Sequence, residues 1–375
     1  MLLLAFGSNA HGQLGTGATD DASVPTTCLV PNSLTTSPLC LAGGANHSVI
    51  VTADGSLLAA GANDRGQLGI PGTRELHTFS PVAIPIVFPS PVFRYVACGW
   101  DHTLALTSDG DLYVFGSNEF GQLGLGVDTK QVDRPMRLDI GTAVEKIAAG
   151  MRYSLILTRD QQVWGWGANK YGELGEISKP ETINGKGNFP RKRAPSVYYP
   201  ARLNVPPCSD ISCGQHHSIL LTRDGRLLGL GRNRHAQLGH SPDTMPETRI
   251  PIPISLPADS LPIELFCGWS FTGIRCRSGR VFIWGRNDHN QLSEANDEIL
   301  SRGGRALQDS THVACGSEHG IAINQEGRCM AWGWNEHGNC GVGSTTDITE
   351  PTVVRDRGVT LVGCGYGHSL IYVHE

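Results

Sequence analysis

No stretch of this 375-residue chain is apolar for long enough to cross a membrane as a helix. The opening run Met1-Leu2-Leu3-Leu4-Ala5-Phe6 stops at Gly7-Ser8-Asn9 and lacks the basic start of a secretion signal. An intracellular chain with no membrane role is therefore expected. Basic charge is not in excess. Against 30 Lys and Arg stand 35 Asp and Glu, a formal net charge of −5, which does not predict direct nucleic-acid binding. The common catalytic motifs are missing. There is no Gly-x-Ser-x-Gly elbow, P-loop lysine motif or His-Glu-x-x-His pair, so no catalytic residue and no cofactor is expected. The 11 cysteines contain no Cys-x-x-Cys pair at zinc spacing. Without a secretion signal they read as reduced thiols rather than a disulfide framework.

Glycine is abundant, at 47 residues without a Gly-X-Y period, and it recurs within a phrase. Versions of Gly-x-Asn-x-x-Gly-Gln-Leu-Gly start at Gly7, Gly61, Gly116, Gly167, Gly231, Gly285 and Gly333. Between them runs a second phrase, small-Gly-x-x-His-(Ser/Thr)-apolar-apolar-apolar-Thr-x-Asp-Gly. Length alone argues for two or three domains. A repeat array spanning 1–375 overrules that and predicts a single domain.

Residues 96–124 show how one unit folds. Val96-Ala97-Cys98 is a short apolar strand, His102 to Thr107 a second, and Leu112 to Phe115 a third after the Asp109-Gly110 turn signal. A glycine-punctuated loop follows, and Pro135 to Leu138 supply a fourth, outer strand. The unit is a four-stranded antiparallel meander about 50 residues long, the size of a propeller blade. The chain ends two strands into a unit, at Val373, and begins with the missing third strand, Leu2 to Phe6. The prediction is all-β: a seven-bladed β-propeller of four-stranded antiparallel blades, its N-terminal strand completing the C-terminal blade. The longest interval holds a surface insertion at 176–199, including the basic run Arg191-Lys192-Arg193. The proline-rich stretches 70–93 and 241–262 read as crossovers to outer strands.

Aligning the units dissolves two apparent ligand sets. Cys98, Cys213, Cys267, Cys315 and Cys364 each precede the glycine that ends a first strand, where other units carry Gly43 and Ala149. The position calls for a small buried residue. Three residues after that glycine lie His47, His102, Tyr153, His217, Phe271, His319 and His368. Tyr and Phe cannot complete a ring of imidazole ligands, so ring packing plus a hydrogen bond to backbone is expected, with no metal.

The units disagree at the two positions between that glycine and the histidine, in loops that share one face with the Asn-Gly loops. The last copy diverges most: Ser317-Glu318-His319, then Trp334-Asn335-Glu336-His337-Gly338-Asn339-Cys340-Gly341. Loops on a rigid scaffold commonly carry function, and exposed aromatics among acids suit a protein-binding hot spot. The candidate partner-binding set is Trp100, Asp101, Arg152, His216, Trp269, Ser317, Glu318, Trp334, Asn335, Glu336, His337 and Tyr366.

These repeats resemble the RCC1 family of seven-bladed propellers over essentially the whole chain. Within it, Gly316 to Ile321, Trp332 to Gly341 and Cys98-Gly99-Trp100-Asp101 are similar to the alpha-tubulin-suppressor, or killer-toxin-insensitivity, branch. That resemblance implies a non-enzymatic propeller in cytoplasm and nucleus. It would pair with a small CSL-motif zinc- or iron-binding protein, support diphthamide synthesis on elongation factor 2 and, with the Elongator complex, support wobble-uridine modification of tRNA. The family's founding role, guanine-nucleotide exchange on a Ran-like GTPase, comes second. No inserted wedge is evident between the Asn-Gly loops, and no basic tail precedes the first strand. A generic scaffold for ubiquitin or cytoskeletal machinery is a third reading.

Overall fold

The computed structural model describes residues 2–31, 36–82, 84, 90–177, 195–258, 260–293, the backbone of 301–302, and residues 307 and 309–374. Their strands form seven antiparallel sheets of four. Blades one to six occupy residues 38–81, 93–138, 144–202, 208–254, 262–302 and 310–355. Blade seven joins Val359–Cys364 and His368–Val373 to Leu2–Gly7 and Ala22–Thr27. Leu2 pairs with Val373 and Gly7 with His368, so the two ends of the chain share one sheet. Ring closure hides sheet edges that an open array would expose.

The second blade shows why these residues form these strands. His102–Thr107 and Leu112–Ser117 are buried on both faces and read as continuous apolar or small runs. The outer strand, Gln131–Leu138, is longer than its proline-containing half suggested. Its ladder breaks between Val132 and Met136, which places Pro135 at a bulge where no ladder donor is required. Cores sit between blades. Phe115 and Tyr113 of blade two, for instance, pack with Val49, Leu57 and Ala59 of blade one. The outer strands of blades one and four, Glu75–Pro81 and Glu247–Ile254, fall inside the two proline-rich crossovers. The insertion's basic run lies outside the described residues.

Two glycines per unit are sterically required. Gly116 has φ +105°, and a Cβ there would lie 2.5 Å from the Asp101 carbonyl oxygen. At Gly99 a Cβ would lie 2.0 Å from the His102 ring, so the imidazole packs flat on bare backbone.

The histidines do not bond to backbone as expected. Nε2 of His47, His102, His217, His319 and His368 lies 2.8–3.1 Å from the hydroxyl of Thr103, Ser154, Thr272, Ser369 and Ser48 respectively, each on the next blade round the ring. Each hydroxyl in turn donates to a loop carbonyl of the histidine's own blade, as Ser154 does to Gln122 at 2.8 Å. The hydroxyl proton is thereby committed, so the imidazole must carry a proton on Nε2, while burial with Nδ1 unpartnered keeps the ring neutral. The two exceptions are compensated. Tyr153 donates to the carbonyl of His217 in the next blade. Phe271 needs no hydroxyl, and the next blade has Gly320 in that position. There the Trp332 indole donates to the Gln291 carbonyl at 2.9 Å instead.

Burial pushes His47, His102, His217 and His368 down to about 3 and His319 to about 4. Their unfolded value is 6.5, so below it the unfolded chain takes up protons that the folded chain refuses. Stability is therefore full above about pH 6.5 and falls as pH drops towards 4. Urea midpoints measured between pH 7.5 and 4.5 should decrease steadily. Ser154→Ala should cost about 1–3 kcal/mol by stranding the His102 N–H. His102→Phe with Ser154→Gly copies the Phe271–Gly320 seam, because Trp166 already donates to Gln122. That pair should lose less than the sum of its two single changes and flatten the acid slope.

Candidate functional site

The loops between first and second strands meet round the central channel on one face. Their backbones are stitched blade to blade: Trp100 N–H donates to Met151, Trp269 to Ser317, Ser317 to Tyr366 and Tyr366 to Gly44, at 2.8–3.0 Å. These bonds fix where the variable side chains project. Trp100, Trp269 and Tyr366, from blades two, five and seven, converge with ring centroids 5.4–6.0 Å apart. Trp269 and Tyr366 cap a channel cavity of about 220 Å³ lined by Cys98, Cys213, Cys267, Cys315 and Cys364. Burial raises all five thiols, Cys267 and Cys364 to about 12, so they are protonated and poor ligands. The cysteine position is small as expected, but of the five only Cys98 is fully buried; Cys213, Cys267, Cys315 and Cys364 are half-buried where they line the channel.

Beside the aromatic cap lies a cleft of about 410 Å³ at the junction of blades five, six, seven and one, with Trp100 of blade two also in its lining. The trio forms one side, and Trp334 another. Glu318 lies in its wall, 5% exposed. Its carboxylate accepts from Arg286 at 2.9 Å and from Gln291 at 2.5 Å. Burial raises the Glu318 pKa, while Arg286 pulls it back. Arg286 also pairs with Asp288 at 2.5 Å. Trp334 stands edge-on to His337, 5.4 Å away, with His289 at 6.4 Å. Each histidine is held by an aspartate: His337 by Asp21 at 2.7 Å and His289 by Asp347 at 2.9 Å. Glu336 is exposed at the same cleft.

The cleft arises from departures in the last copy. Asn339 replaces a glutamine, or in the third blade Glu173, whose side chain in the other six copies accepts from a backbone N–H two residues earlier, as Gln122 accepts from Phe120 and Glu173 from Tyr171. Both polar atoms of the Asn339 side chain are buried without a protein partner. Gly367, with no side chain, lies next to Trp334.

Trp100, Trp269, Ser317, Glu318, Trp334, Glu336, His337 and Tyr366 thus share one cleft. The others do not join it. Asp101 accepts from Gln122 within its own blade. Arg152 lies over Phe120, and His216 pairs with Glu173 beside Tyr171, on the blade-three side of the ring. Asn335 is fully buried; its amide donates to the Ser344 and Thr346 carbonyls and its oxygen accepts from Cys340. It is the repeat asparagine, like Asn118, and presents nothing to a partner. Ser317 is 2% exposed and donates to the Tyr366 carbonyl, so it shapes the loop. Arg286 and His289 were missed, although they occupy the same loop positions in blade five as Trp334 and His337 in blade six.

A sequence profile of the RCC1-like domain matches residues 2–371. The chain belongs to the RCC1-like family. The mouse secretion-regulating guanine nucleotide exchange factor is 32% identical over 409 residues, covering 98% of this chain and 83% of the mouse protein. The human E3 ubiquitin-protein ligase HERC2 is 30% identical over 99% of this RCC1-like chain, which spans only 8% of that protein. Prp20p of Saccharomyces cerevisiae, characterised for binding Gsp1p and histones, superposes with a TM-score of 0.85 at 22% identity, covering 99% of this chain and 90% of that one. That likeness shows the fold alone. Among these relatives none is a diphthamide or Elongator protein, and the exchange-factor name falls on the role the sequence placed second.

Arg286→Ala should leave Glu318 buried without its counter-charge. We expect a loss of about 1–3 kcal/mol at pH 7.5. Because a carboxyl with a raised folded pKa is penalised only when ionised, the difference from the parent should shrink towards pH 5, measured by urea unfolding at both pH values.

Proposed function

We propose that this chain is a guanine-nucleotide exchange factor that docks a Ran-like small GTPase on its loop face. The carrying observation is near full-length relatedness, at 32% identity, to a protein named for that activity. The face supports it physically: a pre-formed aromatic cap and an acidic cleft sit on loops that cross-blade backbone bonds hold rigid. Such a surface needs little ordering on binding, and aromatic anchors commonly dominate interface energetics. Exchange requires only that this face bind the nucleotide-free GTPase more tightly than the nucleotide-bound form. The differential affinity is the mechanism, and no bond to nucleotide is made or broken.

A second occupant of the same face is the small CSL-motif metal protein, serving diphthamide synthesis and Elongator-dependent tRNA modification. It is favoured by the Trp334-Glu336-His337 departure, whose three side chains the fold gathers at one cleft.

Release of a fluorescent GDP analogue from a purified Ran-like GTPase distinguishes the two. The chain should accelerate release at least tenfold and form a complex with nucleotide-free GTPase that added GTP dissolves. An intrinsic release rate with no such complex, together with capture of the CSL-motif protein, would favour the second occupant. Trp100→Ala with Glu336→Lys should weaken docking by about 2 kcal/mol or more while leaving the thermal midpoint near that of the parent.

A further inference from the structure

The cleft is chemically specific as well as concave. Its aromatic faces come from Trp100, Trp269, Tyr366 and Trp334, and its wall carries the buried Glu318 carboxylate. Its charge is lopsided. Among the described residues Arg286 is the one Arg or Lys lining it, and that guanidinium is shared between Glu318 and Asp288. Glu336 adds an exposed carboxylate, and Asp347 and Asp21 stand directly behind His289 and His337. At about 410 Å³ the space is at the small end of ligand pockets, which run roughly 300–1,000 Å³. A ring of π faces with surplus negative charge attracts a cation that can stack, and the planar, weakly hydrated guanidinium suits that better than an ammonium.

We propose that this cleft is a socket for a single arginine side chain projected by the docked protein partner. The inference rests on the loop face being the docking surface. The guanidinium would lie against Trp334 and the aromatic cap, with Glu336 closing over it at the solvent side. Glu318 and Arg286 fix the wall and set its polarity. The partner is thus a protein that presents an arginine from a basic loop, and its on-rate should fall with added salt.

N-acetyl-arginine amide is the probe, followed by tryptophan fluorescence of the full chain, with N-acetyl-citrulline amide as its neutral isostere. Saturable binding of the arginine compound at least fivefold tighter than citrulline is expected. Trp334→Ala should weaken it by roughly threefold to thirtyfold, and Glu336→Gln, which touches only an exposed side chain, by about threefold. Equal binding of the two compounds, or undiminished binding in both variants, would overturn the socket. The probe needs no GTPase, so the two claims fail separately. Nucleotide exchange without arginine binding removes the socket alone, and arginine binding without exchange removes the GTPase alone.

Discussion

Everything in this propeller hangs on a relay at the seam between neighbouring blades. A neutral imidazole donates to a hydroxyl on the next blade, and that hydroxyl donates to a loop carbonyl of the imidazole's own blade. Each bond is worth about 1 kcal/mol net, but all are buried, so losing one partner costs more than the bond contributed. The relay explains why the glycine before each loop cannot carry a side chain, since the ring lies against it. It also explains the two exceptions: opposite Tyr153 the next blade keeps its hydroxyl, and Ser218 donates to the Glu173 carbonyl. Where Phe271 drops the imidazole, Gly320 drops the hydroxyl and Trp332 supplies the donor.

The proposed docking face is a consequence of that rigidity. The relay and the chain of backbone bonds at the channel mouth, which runs from the Met151 loop round to the Gln215 loop, hold seven variable loops in register. Side chains far apart in sequence can then converge without loop ordering at the moment of binding. The aromatic cap draws on blades two, five and seven, and the cleft beside it on those three with blades six and one. One propeller thus separates frame from loop surface. The repeated residues make the frame, and the departures make the surface.

The architecture was legible because the glycine phrases mark every turn, and because the half-unit at Val373 and the strand at Leu2 complete each other. The outer ladder of blade two was legible only in part, since the bulge at Pro135 hides its first half. The histidine partners were not legible, because the accepting hydroxyl lies on the next blade, 50–56 residues on in four pairs and 320 residues away for His368 and Ser48. Trp334, Glu336 and His337 were visible as departures from the repeat. Asn335 was misjudged because it was grouped with those departures, although it fills the asparagine position of every copy. Arg286 and His289 stood at matching positions in the fifth copy. Their meaning depended on Glu318 of the next blade, a contact that no single copy contains.

The central claim is that the partner docks on the cleft side of the loop face. Hydrogen–deuterium exchange of the chain, alone and in complex with nucleotide-free Ran-like GTPase, tests it most directly. The account predicts new protection in the loops at residues 98–102, 267–271, 315–319, 333–338 and 364–368, with the Asp-Gly turns on the opposite face unchanged. Protection confined to those turns, such as Asp109-Gly110 and Asp224-Gly225, would contradict it.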